Sequence, residues 1–284
     1  MHVLNGTIVA EKILNTVAQR ARAFEKEHGR RPSVAVVLVG DDAPSHLYVK
    51  LKQKAAHSVG IDFHKYIFAA NEAPEAVLQA VTFLAADPDV DAMLIQMPLP
   101  EGFDADALVQ TMGSAKDVDG FHPASEERFL ADASTMSPVF PRALLAMVEA
   151  SGEDVQGKRA ALIVNSERFG RVLAAACVAK GMVPQVILAD KVPCMHAAIL
   201  SADVVITACG TPGLITSRYL KSGAVVIDGG ISARDGKTVG DVDVNSVTKD
   251  KKDITLSPVP GGVGPVTIAC LLDNAVTLAE KHVQ

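Results

Sequence analysis

The chain has 284 residues, 49% hydrophobic and 21% charged, with 27 basic against 33 acidic side chains for a net charge of −6. At roughly 150 residues per domain that length predicts two domains, and the composition excludes collagen-like, low-complexity and disordered classes. The acidic balance argues against nucleic acid as a main partner, and apolar runs such as Val34 to Val39 stop well short of the roughly 20 residues that span a bilayer.

In chain order, helical periodicity covers about Val9 to Glu27, and an apolar strand from Ser33 to Val39 ends at Gly40. A helix from about Ser45 closes at Gly60, followed by a strand near Phe63 to Phe68, a helix from Pro74 to Ala86, a strand from Ala92 to Met97 and a short helix near Asp104 to Met112. The stretch from Ala115 to Pro141 carries Pro and Gly with a weak period, so the domain boundary is placed there. Strands Ala160 to Val164, Gln185 to Leu188, Val204 to Ala208 and Ala224 to Ile227 follow. They alternate with helices near Gly170 to Lys180, Pro193 to Leu200 and Thr216 to Lys221, before a last helix from about Pro265 to Lys281. Alternation of this kind implies parallel strands with crossover helices, an α/β fold. Residues 1–122 with 266–284 are expected to form one domain and 123–265 a second, Rossmann-like one, with a cleft between them.

Cys177, Cys194, Cys209 and Cys270 are far apart and lack a Cys-x-x-Cys pair, which predicts reduced, mostly buried thiols and no metal site. No secretory or transit pattern stands out at the amino terminus, so a cytoplasmic enzyme is the expectation, with no membrane partner.

One residue breaks the pattern of the second helix. At 100° per residue Leu51, Ala55, Tyr48, Val59, Lys52 and Ala56 share one arc, while Gln53, His57, Lys50 and Lys54 take the other. A lysine among apolar neighbours loses solvation and gains neutral amine near pH 7, as a general base requires; alternatively it snorkels to water. This helix starts at the carboxyl edge of the predicted sheet, where open α/β folds bind ligands, and Gln96, before Met97-Pro98, stands at the same edge.

Val39-Gly40-Asp41-Asp42-Ala43-Pro44-Ser45-His46-Leu47-Tyr48-Val49, then Lys52-Gln53-Lys54-Ala55 and Gly60-Ile61, resembles a signature of the bifunctional methylenetetrahydrofolate dehydrogenase and methenyltetrahydrofolate cyclohydrolase family. So do Gln96-Met97-Pro98-Leu99-Pro100, Lys116 to Pro123, Gly240-Asp241-Val242-Asp243 and Pro258-Val259-Pro260-Gly261-Gly262-Val263-Gly264-Pro265. The resemblance implies oxidation of 5,10-methylenetetrahydrofolate with a nicotinamide and hydrolysis of the methenyl product to 10-formyltetrahydrofolate. It further implies Lys52 as catalytic amine, Gln96 as its partner, Tyr48 against the folate and Asp119 on the pterin amino edge. Pro258, Gly261, Gly262 and Pro265 would line the folate, and a homodimer would form through the second domain.

The same resemblance assigns the dinucleotide to Asn165, Ser166, Arg168, Gly170, Asp190, Gly210, Thr211 and Ile231. Here the chain departs from the family pattern. Where the family has Gly-Arg-Ser, two residues, Val-Gly, one residue and Pro, the chain reads Val164-Asn165-Ser166-Glu167-Arg168-Phe169-Gly170-Arg171-Val172. Asp190 lies 20 residues beyond Gly170, where an acidic side chain bonds a ribose 2′-hydroxyl and favours NAD. Lys191, Arg168 and Arg171 favour a phosphate and so NADP, the family habit. NADP, NAD and a weakened cofactor site with cyclohydrolase activity retained all stay open, as does a non-catalytic folate or nucleotide binder on the same scaffold.

Overall fold

The computed structural model describes residues 1–234 and 236–283. Two compact units divide the chain: Glu11–Phe129 with Ile268–Gln284, and Met1–Ala10 with Leu130–Thr267. A two-residue strand, β1 (His2–Val3), opens the chain and pairs with a strand near residue 255, which places the first ten residues in the second of these units. That pairing has no signature in so short a run, and the expected domain had begun at residue 1.

The helix α1 (Gly6–His28) leads into β2 (Ser33–Val39), α2 (Ala43–Val59), β3 (Asp62–Phe68), α3 (Pro74–Ala86), β4 (Ala92–Ile95) and α4 (Ala105–Met112). The strands form a parallel sheet in the order β3-β2-β4. All seven residues of β2 are buried, which explains their unbroken apolar run: a central strand covered on both faces has no polar side to show. Ala35, Val37, Val39, Met93 and Ile95 pack against Val77, Val81 and Leu84 of α3 and Leu108, Val109 and Met112 of α4. Because β3 lies on one side of β2 and β4 on the other, the strand order reverses between β2 and β4. The connections leaving their carboxyl ends diverge there and open a crevice.

The stretch from Ala115 to Pro141, where the domain boundary is expected, holds the division between the units at Phe129 and Leu130, together with the helix α5 (Pro123–Ala131) and the start of α6 (Val139–Ala150). Proline misled the sequence reading because Pro123 is the first residue of α5 and Pro141 sits in the first turn of α6, positions where a missing N–H costs nothing. There follow β5 (Arg159–Val164), α7 (Glu167–Ala179), β6 (Val183–Leu188), a 3-10 segment (Ala189–Met195), α8 (His196–Ser201) and β7 (Val204–Ala208). Next come β8 (Val225–Asp228), the hairpin of β9 (Ser232–Arg234) and β10 (Lys237–Val239), α9 (Val244–Lys249) and β11 (Thr255–Leu256). Thr216 to Lys221, expected to be a helix, holds only a 3-10 turn at Ser217–Tyr219. Six parallel strands run β1-β11-β8-β7-β5-β6, so this sheet has its own reversal, between β5 and β7.

The last helix, α10 (Val263–His282), is long and apolar enough by composition to cross a membrane, but 72% of its most apolar stretch is buried inside the protein. Asp273, Thr277 and Glu280 of α10 all accept hydrogen bonds from the Arg20 guanidinium of α1. Cys177, Cys209 and Cys270 are buried and Cys194 is exposed, all four as free thiols. Burial pushes the Cys177 and Cys209 thiols up to about 12, which keeps them unreactive.

Candidate active site

The start of α2 is set by Asp42, whose carboxylate accepts from the Ser45 N–H at 2.9 Å and the Ser45 hydroxyl at 2.7 Å, with Pro44 in the first turn. Its end is set by Gly60 at φ 82°, whose N–H returns to the carbonyls of Ala56 and His57. Ser45, Val49, Ala56 and Val59 are the buried residues. On a wheel with Leu47 at 0° they span about 120° to 200°, and Lys52, at about 140°, falls within that arc. Leu47 and Leu51 are 55% and 43% exposed. The sequence wheel therefore grouped Lys52 with the correct face for Val59 and Ala56 but with the wrong leucine.

Lys52 keeps only partial exposure, and its Nζ donates to Gln96 Oε1 at 2.9 Å. The Gln96 amide is oriented by its own donor, which bonds the Met97 carbonyl at 2.7 Å and leaves the oxygen turned to the lysine. Its backbone is as well anchored, because the Gln96 N–H continues the ladder to Val37 at 2.9 Å, one residue past β4. The amine is thus held at the reversal point by α2 on one side and the end of β4 on the other. Burial lowers the Lys52 pKa, opposed by the charge of Asp119. One turn earlier on α2, Tyr48 is half-buried, and burial raises its pKa.

Asp119 reaches the same place by a route the sequence does not advertise. Residues 116–118 run parallel beside β4, with Met93 N–H bonding Lys116 O at 2.7 Å and Val118 N–H bonding Met93 O at 3.3 Å. Asp117, fully buried, then accepts three backbone N–H groups, from Gly120, Phe121 and His122, at 3.0, 3.2 and 2.9 Å. Asn274 of α10 donates to Val118 O at 3.0 Å. These bonds fix the turn on which Asp119 sits. Its carboxyl is pushed up to about 6, chiefly by burial, with Lys52 drawing it down and Asp117 adding to the rise. Asp117 belonged to the quoted motif, yet its structural task was missed; the Asp-x-x-Gly spacing before a turn was the available signal.

In the other unit Asn165, Ser166, Gly210 and Thr211 of the predicted cofactor residues follow β5 and β7, the two strands at the reversal, while Asp190 follows β6 and Ile231 follows β8. Ser166 caps α7, accepting from Phe169 N–H at 3.3 Å, and Asn165 donates to Cys209 O at 2.6 Å across the reversal point. A Cβ on Gly170 would stand 2.5 Å from Val186, so the glycine that lets the helix approach the strand is retained although the other two of the usual fingerprint are missing. Gly210, at φ 63°, and Thr211 are exposed at the end of β7, and Ile231 is 51% exposed after β8. Arg168 is exposed on α7. Asp190 lies two residues past β6 and pairs with Lys191 at 2.8 Å, both well exposed. Of the folate-loop residues, Gly261 accepts from Gly6 N–H at 2.9 Å, a Cβ on Gly262 would stand 2.4 Å from Pro258 O, and Pro265 lies in the first turn of α10.

A partly desolvated amine, an oriented amide, a carboxyl of raised pKa and a separate Rossmann-like unit together define a two-domain α/β enzyme of the nicotinamide-dependent class. Residues 4–119 match the catalytic domain of tetrahydrofolate dehydrogenase/cyclohydrolase, and residues 138–283 match its NAD(P)-binding domain. The chain belongs to the tetrahydrofolate dehydrogenase/cyclohydrolase family. The bifunctional protein FolD of Lacticaseibacillus paracasei is 40% identical over 289 residues, covering 98% of each chain. The crystal structure of the FolD dehydrogenase/cyclohydrolase from Campylobacter jejuni superimposes with a TM-score of 0.90 at 34% identity, covering 99% of each chain. That of the Trypanosoma brucei enzyme, complexed with NADP and inhibitor, gives 0.91 at 28% identity over 99% of this chain and 98% of that one.

The raised pKa of Asp119 has a stability consequence. Ionised Asp119 is disfavoured in the folded state, so its burden is present above about 6 and vanishes below the ordinary value of 3.8. Asp119→Asn is expected to raise the melting temperature near pH 7.5, with the gain shrinking as pH falls through that window. Calorimetric scans across the range check it, and a gain independent of pH contradicts the assignment.

Proposed function

We propose that the protein oxidises the one-carbon bridge of 5,10-methylenetetrahydrofolate with NADP and hydrolyses the resulting methenyl compound to 10-formyltetrahydrofolate. The observation that carries this reading is the Lys52 amine, depressed in pKa by burial and held on Gln96 Oε1 at 2.9 Å. When bound, the nicotinamide supplies the acceptor for the hydride. In the hydrolytic step the neutral amine takes a proton from the water that adds to the cationic methenyl carbon, and returns it to the ring nitrogen as the carbon–nitrogen bond opens, while the hydroxyl proton of the adduct leaves to solvent as the formyl C=O forms. Gln96 keeps the nitrogen's lone pair aimed, Tyr48 borders the ring system, and the Asp119 carboxylate accepts from the amino edge of the pterin. Pro258, Gly261, Gly262 and Pro265 offer the substrate a surface of close-approaching backbone.

Asn165, Ser166, Arg168, Gly170, Gly210, Thr211 and Ile231 form the dinucleotide seat in this reading, with Lys191 and the α7 arginines favouring the 2′-phosphate of NADP. A second reading, NAD, is favoured by Asp190, exposed just past β6 where a ribose 2′-hydroxyl is bound in such folds. Homodimerisation through the second unit is supported by β6, which pairs with β5 on one side only and presents Val183 and Val186 at 57% and 37% exposure, beside Val178 of α7 at 59%. Free thiols suit a cytoplasmic setting.

Reduced nicotinamide absorbance, followed after mixing enzyme, tetrahydrofolate, formaldehyde and either dinucleotide, tests the dehydrogenase; silence with both leaves cyclohydrolase alone. Lys52→Met is expected to lower methenyl hydrolysis about 100-fold or more while folate affinity stays within about tenfold, because the amine serves the reacting carbon more than binding. Hydrolysis at the full rate would falsify the assigned base. Asp190→Ser is expected to move the NADP-to-NAD ratio of kcat/KM upward by about tenfold, a change of about 1.4 kcal/mol, and an unmoved ratio counts against a role for that carboxylate. Val183→Asp should convert a dimer to monomers by light scattering, and a dimer that persists places the contact elsewhere.

A further inference from the structure

Asp241 is fully buried, yet both of its carboxylate oxygens are spent on one loop. Oδ2 accepts the Cys209 N–H at 2.8 Å and Oδ1 the Thr211 N–H at 2.7 Å, which brackets Gly210 at φ 63°. The same loop is tied from two other sides. Asn165 donates to Cys209 O at 2.6 Å, and the Ser232 hydroxyl donates to Gly210 O at 2.8 Å. Gly210 and Thr211 nevertheless remain exposed, at the carboxyl end of β7 beside the strand reversal.

A second buried carboxylate holds the first. Asp228, at the end of β8, accepts the N–H groups of Gly230, Asp241 and Val242 at 3.0, 3.0 and 2.9 Å, and the Thr207 hydroxyl at 3.2 Å. Its own N–H bonds the Ser257 hydroxyl at 2.8 Å, immediately before the Pro258 loop. Space is reserved for both side chains: a Cβ on Gly230 would stand 2.2 Å from Asp241 and one on Gly240 2.1 Å from Asp228. A desolvated carboxylate is costly, and here the cost is offset by charge-assisted bonds from backbone that would otherwise be free to adopt other turns.

We infer that Asp241 is a positioning residue for the dinucleotide: it shapes the Cys209–Thr211 turn so that the exposed backbone after β7 is presented to the cofactor, and it serves the oxidation step but not the hydrolytic one. The inference rests on the proposed reading of Gly210 and Thr211 as part of the dinucleotide seat. Lys52, Gln96 and Asp119, the groups of the hydrolytic step, belong to the other unit and make none of these bonds.

Asp241→Asn preserves shape but replaces one acceptor oxygen with a donor that faces an N–H. The test compares wild type and variant in four measurements: NADP dissociation constant by calorimetry, KM for NADP, methenyl hydrolysis, and melting temperature. The expected result is a rise of about tenfold or more in both the dissociation constant and KM for NADP, with methenyl hydrolysis and the folate KM within about twofold of wild type. Equal loss of both activities with the melting temperature would make Asp241 a general support of the fold and overturn the inference, as would unchanged NADP binding. Should Asp241→Asn fail to fold, Ser232→Ala decides, since it frees the same turn from its outer side without disturbing the buried pair. A smaller NADP-specific weakening there supports the inference, and none overturns it. Wild-type enzyme that hydrolyses the methenyl substrate but binds neither dinucleotide shows instead that the seat itself was misread.

Discussion

The hydrogen bond from Lys52 to Gln96 is the constraint around which the amino-terminal unit is arranged. A lysine amine loses proton affinity only where water is displaced, and stays useful only where its direction is fixed. The strand order β3-β2-β4 supplies both conditions. It sends α2 away from the carboxyl end of β2 while β4 ends alongside, so a residue in the third turn of that helix meets the first residue beyond the strand. Neither partner is on a loose loop: Lys52 sits mid-helix between a carboxylate cap and a left-handed glycine, and Gln96 is still in register with Val37. Asp119, the countercharge, is the one member carried by a turn, and that turn is pinned by Asp117 and Asn274.

Much of this was legible in the amino-acid sequence because burial leaves a periodic trace. Residues 33–39 could only be a strand covered on both faces, and the 3.6-residue period delimited α3 and the body of α10. Lys52 stood out as a charge on an apolar face, and Gln96 was placed by the proline two residues later. Illegible features share a different origin. Strands β1 and β11 are two residues each and exist only because each finds a partner edge. Pro123 and Pro141 suggest irregular chain from sequence, yet each sits in the first turn of a helix. Leu47 and Leu51 are apolar yet exposed, because Ser45, Val49, Ala56 and Val59 take the buried face of the helix. Asp117 and Asp241 act through backbone N–H groups; the Asp-x-x-Gly spacing marks the first, but no spacing of side chains reveals that the amides of Cys209 and Thr211 need Asp241.

The departures in the nucleotide unit follow the same reasoning. A three-glycine fingerprint does separate jobs: a tight turn, close approach of ligand to backbone, and close packing of helix on strand. Only the last is retained, by Gly170 against Val186. At the turn, Asn165 reaches across to the carbonyl of Cys209 instead, and Ser166 caps the helix with its side chain. Side-chain hydrogen bonds therefore stand where small residues usually provide freedom, and a turn built that way is set by its partners more than by its own backbone.

That shift places greater weight on the buried carboxylates. Asp117 in one unit and Asp241 with Asp228 in the other use the same device, a desolvated acid that collects the N–H groups of a turn and thereby dictates its shape. The device is costly wherever the amides are not all in place, because an unpaired carboxylate in such surroundings would sooner take up a proton. It is thus self-consistent only in the native turn: any other conformation loses several charge-assisted bonds together. A loop held in this way has few alternative states to surrender when a ligand arrives, so less of the binding free energy goes into ordering it and more is left for discrimination.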